Sequence, residues 1–344
     1  MNKKWRYALV SLALSFLLMG LLLKQIEPGQ IARTLRAIHI PALLAYLALM
    51  LAGSVVRALR YKWFLKPTEI GWGPLLLTTF IRNSLVDLLP ARLGSLSFIY
   101  ILNRRLGYTF ELASSTFILA FIFDFLTLSP FVVAAVLIVG FGSTALLNAP
   151  LLAFAVVFFL AIAVVLRKLP LAVDLAGRLL SRAARLVQAE EKPRLRLILD
   201  KFRSTAETLG WVQQRKIFWQ TFTLSLILRL MKYFSLFFLL YALLRSRGFS
   251  LEPLNFWKCV LGLTGAELTS ALPIKGLAGF GTWESAWALT LGFLGFDAQT
   301  AILSGIGVHF LTNLFEYGLG IGSILVLLVP FLRERRRRRG EAPL

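Results

Sequence analysis

The sequence contains only one cysteine and two histidines among its 344 residues. A single cysteine excludes a framework of intramolecular disulfides. So few thiol and imidazole groups also leave too few ligands for an ordinary zinc site, and neither a metal nor another cofactor is expected. A Walker A loop is missing, and no grouping of serine, histidine and acid is evident. The residue types and motifs therefore do not predict an enzyme.

Charged residues are also scarce, since they make up 16% of the chain whereas hydrophobic residues make up 58%. A soluble globule of this composition would expose too much apolar surface. Long uncharged runs match the length of a helix that crosses the hydrocarbon core of a bilayer. The sequence therefore predicts an all-α polytopic membrane protein. About six spanning helices are expected, at roughly 7–23, 40–60, 112–139, 150–166, 217–244 and 299–330.

Acidic residues are few relative to basic ones, 17 against 38, which gives a formal net charge of +21. The basic residues lie beside the apolar runs, so membrane topology and anionic lipid explain them better than nucleic acid does. The positive-inside rule places both termini in the cytoplasm. Segment 167–216 is interpreted either as amphipathic helices on the inner leaflet or as a solvated linker. Residues 1–335 then form a single transmembrane domain, and 336–344 form a basic tail.

Two further apolar stretches, 71–105 and 254–293, are interrupted by charges, prolines and glycines. The positive charges follow the positive-inside rule only if each stretch enters and leaves the membrane on the same side. We therefore predict two re-entrant broken hairpins in addition to the spanning helices.

Similar motifs occur twice in the same order. LLPARLG at 88–94 resembles ALPIKG at 271–276, and RALRY at 57–61 resembles RLMKY at 229–233. These matches indicate an internal repeat. The expected topology makes the two copies inverted, and inverted repeats with broken helices are typical of secondary transporters. The copies cover about 40–139 and 217–330.

Each predicted hairpin tip combines a proline that stops a helix with a cation two positions later and nearby glycines. The next half-helix would present free N–H groups, which together with Arg92 or Lys275 form a site for an anion such as phosphate. Thr282 is expected to cap the half-helix after the second tip. The simpler alternative is that Arg92 and Lys275 only extend to the membrane surface. The glycines assigned to this site are Gly94, Gly276, Gly279 and Gly281.

Several ionisable residues lie within or near apolar spans, Arg82 among them, where an unpaired charge is costly. Four of them are candidates for substrate binding: Arg57, Arg60, Arg229 and Lys232. Arg57 and Arg60 would also suit the end of a span, and Arg229 and Lys232 would also suit structural ion pairs. Six more are candidates for charge pairing or for coupling transport to an ion: Asp87, Asp124, Glu267, Glu284, His309 and Glu316. Of these, His309 or Glu316 could relay a proton. The structural alternative pairs Asp87 or Asp124 with an arginine, and Glu267 or Glu284 with Lys232 or Lys275.

Four motifs resemble the flippase-like family named for the lysylphosphatidylglycerol synthase transmembrane region: RALRYKW at 57–63, Asn83 with 88–94, LP at 272–273, and GFG at 279–281 before Glu284. The resemblance covers about residues 5–330. It implies lipid movement between leaflets, as in the lipid-translocating half of the multiple peptide resistance factor. It also implies a location in the inner (cytoplasmic) membrane of a bacterium. The chain departs from the family pattern at Ser95, Ala120, Phe121 and His309. The aminoacylating domain of the fused synthases is absent from this sequence, so lysyl transfer is not expected.

We therefore expect a lipid flippase or transporter that moves an anionic, phosphate-bearing lipid or lipid-linked amphiphile between leaflets. Alternating access at a midplane site would let Arg92 and Lys275 hold the headgroup phosphate while the acyl chains stay in lipid. Membrane lipids with anionic headgroups are the expected partners, and a homo-oligomer is left open. The alternatives are a membrane-embedded enzyme acting on lipid headgroups, a non-transporting scaffold for envelope or polysaccharide assembly, and a transporter of soluble ions or metabolites.

Overall fold

The computed structural model describes residues 3–27, 29–65, 71–86, 88, 94, 96–140, 218–269 and 277–340, and scattered positions between 153 and 207. Regular structure in these segments is helical, which confirms the all-α class. The helices are α1 (Lys3–Leu23), α2 (Gln30–Arg36), α3 (Ile40–Leu65), α4 (Trp72–Val86), α5 (Ser97–Arg105), α6 (Phe110–Leu126), α7 (Leu128–Gly140), α8 (Phe218–Leu244), α9 (Leu251–Leu254), α10 (Phe256–Thr269), α11 (Thr282–Phe293) and α12 (Ala298–Gly340).

Four helical segments of the described chain are long and apolar enough to cross a membrane. They match four of the predicted spans and run over Ile40–Leu65, Phe110–Val139, Gln220–Arg247 and Ala298–Leu327. The predicted span 7–23 falls in α1, whose described apolar part, Leu12–Leu23, is shorter than a bilayer-crossing helix. The predicted span 150–166 lies largely outside the described residues. The expected total of six spans therefore stays a prediction.

Short polar contacts set several helix boundaries. At the start of α6, the Thr109 hydroxyl accepts a hydrogen bond from the N–H of Leu112 at 3.3 Å. At the junction of α6 and α7, Thr127 donates from Oγ1 to the carbonyl oxygen of Phe123 at 2.8 Å. The N–H of Thr127 donates to the same carbonyl oxygen at 3.0 Å, so the last turn of α6 is closed before α7 begins.

Helices α10 and α11 form an antiparallel helical hairpin. At 1.5 Å per residue, the 14 residues of α10 and the 12 residues of α11 each extend roughly 20 Å, less than the hydrocarbon thickness of about 30 Å. Each arm alone is therefore too short to cross a bilayer. The contacts that establish the antiparallel direction are Lys258–Leu294, Gly262–Leu291 and Gly265–Thr290.

The chain also turns back on itself after α4. A Cβ atom built on Gly94 would lie 1.5 Å from the carbonyl oxygen of Leu85, so the backbone of Gly94 touches the end of α4. Only glycine tolerates such a close backbone approach. Most of the turn between these two residues, Arg92 included, lies outside the described residues.

The chain divides into two compact units. Unit 1 comprises Met1–Val55, Gly71–Ser97 and Met231–Leu344, and unit 2 comprises Val56–Ile70 and Phe98–Leu230. Helices α3 and α8 are each divided between the units. The units therefore do not coincide with the predicted repeat copies, because each copy contributes residues to both.

The order of elements nevertheless repeats along the chain. A long helix is followed by two short helices and then by another long segment, first in α3 to α7 and again in α8 to α12, with α9 as an extra turn. This order agrees with the repeat inferred from the motifs. The inversion of the two copies stays a prediction.

Helix α3 extends beyond the predicted end of its span. It continues to Leu65 instead of ending near residue 60, and the side chain of Arg60 is fully buried. Arg60 therefore does not extend from the helix into solvent, as a positive charge at a span end ordinarily would. The physical reason is that a carboxylate within unit 2 pairs with its guanidinium, so the helix can keep this charge inside the protein.

Candidate functional site

Four of the predicted site residues lie outside the described residues: Asp87, Arg92, Lys275 and Gly276. The grip on phosphate by Arg92 and Lys275 therefore stays a prediction. Most of the other predicted residues fall into three groups, one in unit 2 and two in unit 1.

The group in unit 2 is centred on Arg60 of α3. Its Nη1 donates to Oδ1 of Asp124 on α6 at 2.7 Å and to Oγ of Ser225 on α8 at 2.8 Å. Arg229, one turn beyond Ser225, donates from Nη2 to the backbone carbonyl of Asp124. The predicted pairing of Asp124 with an arginine is thus confirmed, and the pair joins three helices.

Three arginines of this group share one carboxylate among the described residues. The positive charges of Arg60, Arg57 and Arg229 all act on the carboxylate of Asp124. The Nε and Nη2 groups of Arg60 are buried and have no hydrogen-bond partner in the described part of the chain. A buried donor without an acceptor costs about 1–3 kcal/mol, and more if it is charged. An anionic ligand would supply acceptors together with a negative charge.

The second group is an ion pair in unit 1, between Nζ of Lys232 on α8 and Oε1 of Glu267 on α10. The Lys232 side chain is 39% exposed and the Glu267 side chain 13% exposed. Because Glu267 lies two residues before the end of α10, the pair ties α8 to the hairpin arm just before its tip. This contact confirms the predicted pairing of these residues.

The third group lies at the tip of the α10–α11 hairpin. Oε2 of Glu284 accepts the N–H of Gly281 at 2.8 Å, and Oε1 lies 2.6 Å from Nδ1 of His309 on α12. Both side chains are buried. In the described structure the partner of Glu284 is therefore His309, and not a lysine as the sequence suggested. The His309 ring also lies between Phe280 and Trp283, with centroids 4.7 and 4.9 Å away.

The tip requires glycine at two positions. Gly279 and Gly281 have φ angles of 82° and 85°, a region that other residues avoid. Thr282 does not cap α11, so that prediction is wrong. Helix α11 begins at Thr282 itself, which makes Gly281 the N-cap, and Thr282 donates from Oγ1 to the carbonyl oxygen of Gly279 at 3.0 Å.

The sequence did not reveal that Ser225 belongs to the first group and Trp283 to the third, and it did not reveal the burial of Arg82 on α4. Arg82 was noted only as a charge within an apolar stretch, yet it is buried, and its Nε has no hydrogen-bond partner among the described residues. Ser225 and Trp283 belong to no motif. Ser225 lies four residues before Arg229, which places both on one face of α8, and this spacing is the signal that could have identified it.

Two other predicted site residues lie apart from these groups. Gly94 packs against the end of α4, and Glu316 lies about two turns beyond His309 on α12. Within the described segments, no three His, Cys, Asp or Glu residues are placed to hold a metal ion.

Apolar helices of membrane-spanning length, a broken helical hairpin and buried ion pairs define a polytopic α-helical membrane protein. Residues 8–320 match the family described as "Lysylphosphatidylglycerol synthase TM region". The chain belongs to this family, because the match covers most of its length, and the resemblance drawn from the motifs is confirmed. No curated protein matches the chain. No solved structure matches it either. Membership of this family indicates a membrane location and a function related to membrane lipids.

Proposed function

We propose that the protein is a flippase or transporter that moves an anionic, phosphate-bearing lipid or lipid-linked amphiphile between leaflets. The observation that carries this proposal is the fully buried Arg60, which keeps two N–H groups without an acceptor in the described part of the chain. Around it, three guanidinium groups act on one carboxylate. A phosphodiester offers negative charge and several acceptor oxygens, which suit the two N–H groups of Arg60 that have no acceptor among the described residues.

The outer surface of unit 2 favours a lipid over a soluble anion. Large apolar side chains are exposed on the same helices that carry the charged group, at Phe121 on α6 and at Ile227 and Leu230 on α8. Such surfaces face hydrocarbon in a membrane. The acyl chains of a lipid would stay in contact with them while only the headgroup enters the polar site.

In the proposed mechanism the two broken hairpins are re-entrant, in inverted copies of the repeat, and bring Arg92 and Lys275 to the midplane from opposite sides. The short arms of α10 and α11 support this, because neither reaches across a bilayer alone. Alternating access then presents the headgroup to each leaflet in turn. The lipid is moved without a change to its covalent structure.

The proposed location is the inner (cytoplasmic) membrane of a bacterium, with both termini in the cytoplasm. Its support is the distribution of lysine and arginine beside the apolar runs. Lipids with anionic headgroups are the proposed partners, because they would neutralise the excess positive charge near the membrane surface.

Reconstitution into liposomes tests the function directly. Fluorescent lipids with NBD-labelled chains and different headgroups are added, and dithionite bleaches only the label in the outer leaflet. We expect the wild-type protein to expose the inner-leaflet label of phosphatidylglycerol faster than that of phosphatidylcholine. Equal movement of every headgroup, or movement independent of the protein, would contradict the proposal. A chemically altered lipid product would favour an enzyme instead.

The double variant Arg60→Gln, Asp124→Asn tests the site. It removes both charges of the pair together, so that neither is left buried alone. Loss of a charge-assisted hydrogen bond worth roughly 1.5–3 kcal/mol should slow anionic lipid movement by about tenfold or more. The matched control is Arg33→Gln, because Arg33 forms an exposed ion pair with Glu27. A folded double variant with wild-type rates would remove Arg60 from the site.

A further inference from the structure

The Glu284–His309 pair differs chemically from the other ion pairs inside the two units. The Arg60–Asp124 and Lys232–Glu267 pairs combine side chains that ordinarily keep their charge between pH 5 and pH 8. Histidine is the side chain that ordinarily changes charge in this range. Among these three pairs, the one at the hairpin tip is therefore the pair that contains an imidazole, a group able to bind and release a proton.

The geometry gives each nitrogen of His309 a separate role. Nδ1 faces the Glu284 carboxylate at 2.6 Å. Nε2 faces the backbone of the tip, since a Cβ atom on Gly279 would lie 3.6 Å from it. The same carboxylate holds the N–H of Gly281 through its other oxygen. One acid and one imidazole thus connect the tip to α12.

Helix α1 is packed against this tip. Ser15 donates from Oγ to the carbonyl oxygen of Phe280 at 3.0 Å. A Cβ atom on Gly281 would lie 3.0 Å from Cβ of Leu18. Further along α1, Leu22 packs with Ile302 in one apolar cluster. A change at the tip would therefore reach both α1 and α12.

Other ionisable groups occur on the surrounding elements, but the described contacts of His309 involve Glu284 alone among them. Leu12–Leu23 of α1 carries no ionisable side chain, and Lys275 of the tip lies outside the described residues. The ionisable groups on the helices that pack on α11 or α12 are Arg33 and Arg36 on α2, Arg82 on α4, and Lys258, Cys259 and Glu267 on α10. The parts of α3 and α8 in unit 1 add Tyr46, Lys232, Tyr233 and Tyr241, and the apolar span of α12 adds Glu316 and Tyr317.

We propose that Glu284 and His309 form a proton-binding site that couples lipid movement to proton movement; this inference rests on the proposed flippase function. In the proton-free state, neutral His309 donates Nδ1–H to the Glu284 carboxylate, and the pair has a charge of −1. A proton taken from water at Nε2 produces imidazolium and carboxylate, with a total charge of zero. Its release to water on the other side restores the first state, and no other bond is formed or broken.

The two states hold the tip differently. A buried net charge is costly, so the proton-free carboxylate depends on the N–H of Gly281 to offset its desolvation. In the protonated state the imidazolium supplies a charge-assisted hydrogen bond, and the carboxylate depends less on the tip. Proton binding therefore shifts the equilibrium between two positions of the tip, which is what coupling requires.

Tryptophan fluorescence of the purified full-length chain tests the proton site without any transport. An imidazolium quenches a stacked indole, and Trp283 is stacked on His309 with an interplanar angle of 21°. We expect emission to fall on titration from pH 8 to pH 5, and Trp283→Phe to remove this change. His309→Gln should also abolish it, whereas His39→Gln, at the chain's other histidine, should retain it. An unchanged titration in His309→Gln would overturn the proton site.

A pH difference across liposomes tests the coupling. At equilibrium an uncoupled flippase leaves about half of the labelled phosphatidylglycerol in the outer leaflet, as measured by a dithionite pulse that is short relative to lipid movement. Coupling to one proton shifts the leaflet ratio by up to about tenfold per pH unit. Nigericin, which exchanges protons for potassium, should abolish the shift. We expect His309→Gln and Glu284→Gln to give no shift, and His39→Gln to give the wild-type shift.

The outcomes separate this inference from the proposed function. Wild-type protein that moves lipid but leaves half of it accessible under a pH difference contradicts the coupling and leaves the flippase proposal intact. A shift that persists in either folded variant of the pair also overturns the coupling. Wild-type protein that moves no lipid at any pH contradicts the proposed function, and the coupling inference falls with it.

Discussion

Arg60 on α3 and Asp124 on α6 form an ion pair with 2.7 Å between Nη1 and Oδ1, in which the arginine side chain is fully buried and the aspartate side chain 24% exposed. Two more arginines, Arg57 and Arg229, act on the same carboxylate. Asp124 is thus the carboxylate that these three arginines share.

The shared carboxylate predicts unequal effects of two substitutions that each remove one charge. Asp124→Asn removes the acid on which all three guanidinium groups act and should destabilise the protein by roughly 3–5 kcal/mol. Arg60→Gln leaves two arginines with one carboxylate and should cost clearly less. The free energy of unfolding, measured by SDS titration in mixed micelles, compares them. A larger loss for Arg60→Gln would mean that Asp124 is not the shared counterion.

The sequence predicted that Asp124 pairs with an arginine, but it did not predict that Arg60 is buried within α3. An unpaired charge within an apolar run is costly, and arginines were the available cations. The pairing of Asp124 with an arginine could therefore be predicted from the free-energy cost of an unpaired aspartate. The burial of Arg60 could not be predicted, because positive residues also mark span ends. Only the packing of α3, α6 and α8 decides between these roles.

The hairpin tip illustrates the same limit. The glycines at 279 and 281 predicted a sharp turn, and both adopt left-handed φ angles. The partner of Glu284 did not follow from the sequence, because His309 is 25 residues away on another helix. The predicted N-cap role of Thr282 was wrong because α11 begins one residue earlier than expected. Sequence patterns locate helix ends only to within a few residues.

The Lys232–Glu267 pair predicts rescue by charge exchange. Glu267→Lys places a second cation beside Lys232 and should lower the melting temperature in detergent. The exchanged variant Lys232→Glu, Glu267→Lys should recover most of the loss. Because the lysine is 39% exposed, the pair itself should contribute only about 1 kcal/mol. A melting temperature no higher in the exchanged variant than in Glu267→Lys would rule out a direct interaction.

We predict that Gly320 is the glycine that allows α12 to pack closely against α4, and that Gly318 and Gly322 do not have this role. A Cβ atom on Gly320 would lie 2.3 Å from Cβ of Ser84 on α4, which no change of rotamer relieves. Gly320→Ala should therefore cost about 1–3 kcal/mol of unfolding free energy. Gly318→Ala and Gly322→Ala are matched controls, since no described atom lies within 4 Å of either new methyl group. Equal losses at all three positions would contradict the close approach of α4 and α12.

The start of α12 predicts a stability contribution that depends on pH. Oδ1 of Asp297 accepts the N–H of Thr300 at 2.8 Å, just before the apolar span begins. Burial alone would raise the pKa of this carboxyl, but the hydrogen bonds from Thr300 and the charge of Arg247 outweigh burial, and the pKa is lowered. A lowered pKa in the folded state means that the charged form stabilises the protein above the ordinary pKa of aspartate. That contribution is lost as the pH falls through the lowered value.

Two substitutions at Asp297 separate the hydrogen bond from the charge. Asp297→Ala should cost about 1 kcal/mol at neutral pH, because it removes the N-cap acceptor of α12. Asp297→Asn keeps an acceptor without a charge, so its smaller deficit at neutral pH should disappear in acid, where the wild-type carboxyl is protonated as well. SDS unfolding at neutral and acidic pH measures both differences. A deficit of Asp297→Asn that grows on acidification would require a raised pKa, and would contradict the assignment of Thr300 and Arg247 as the groups that favour the carboxylate.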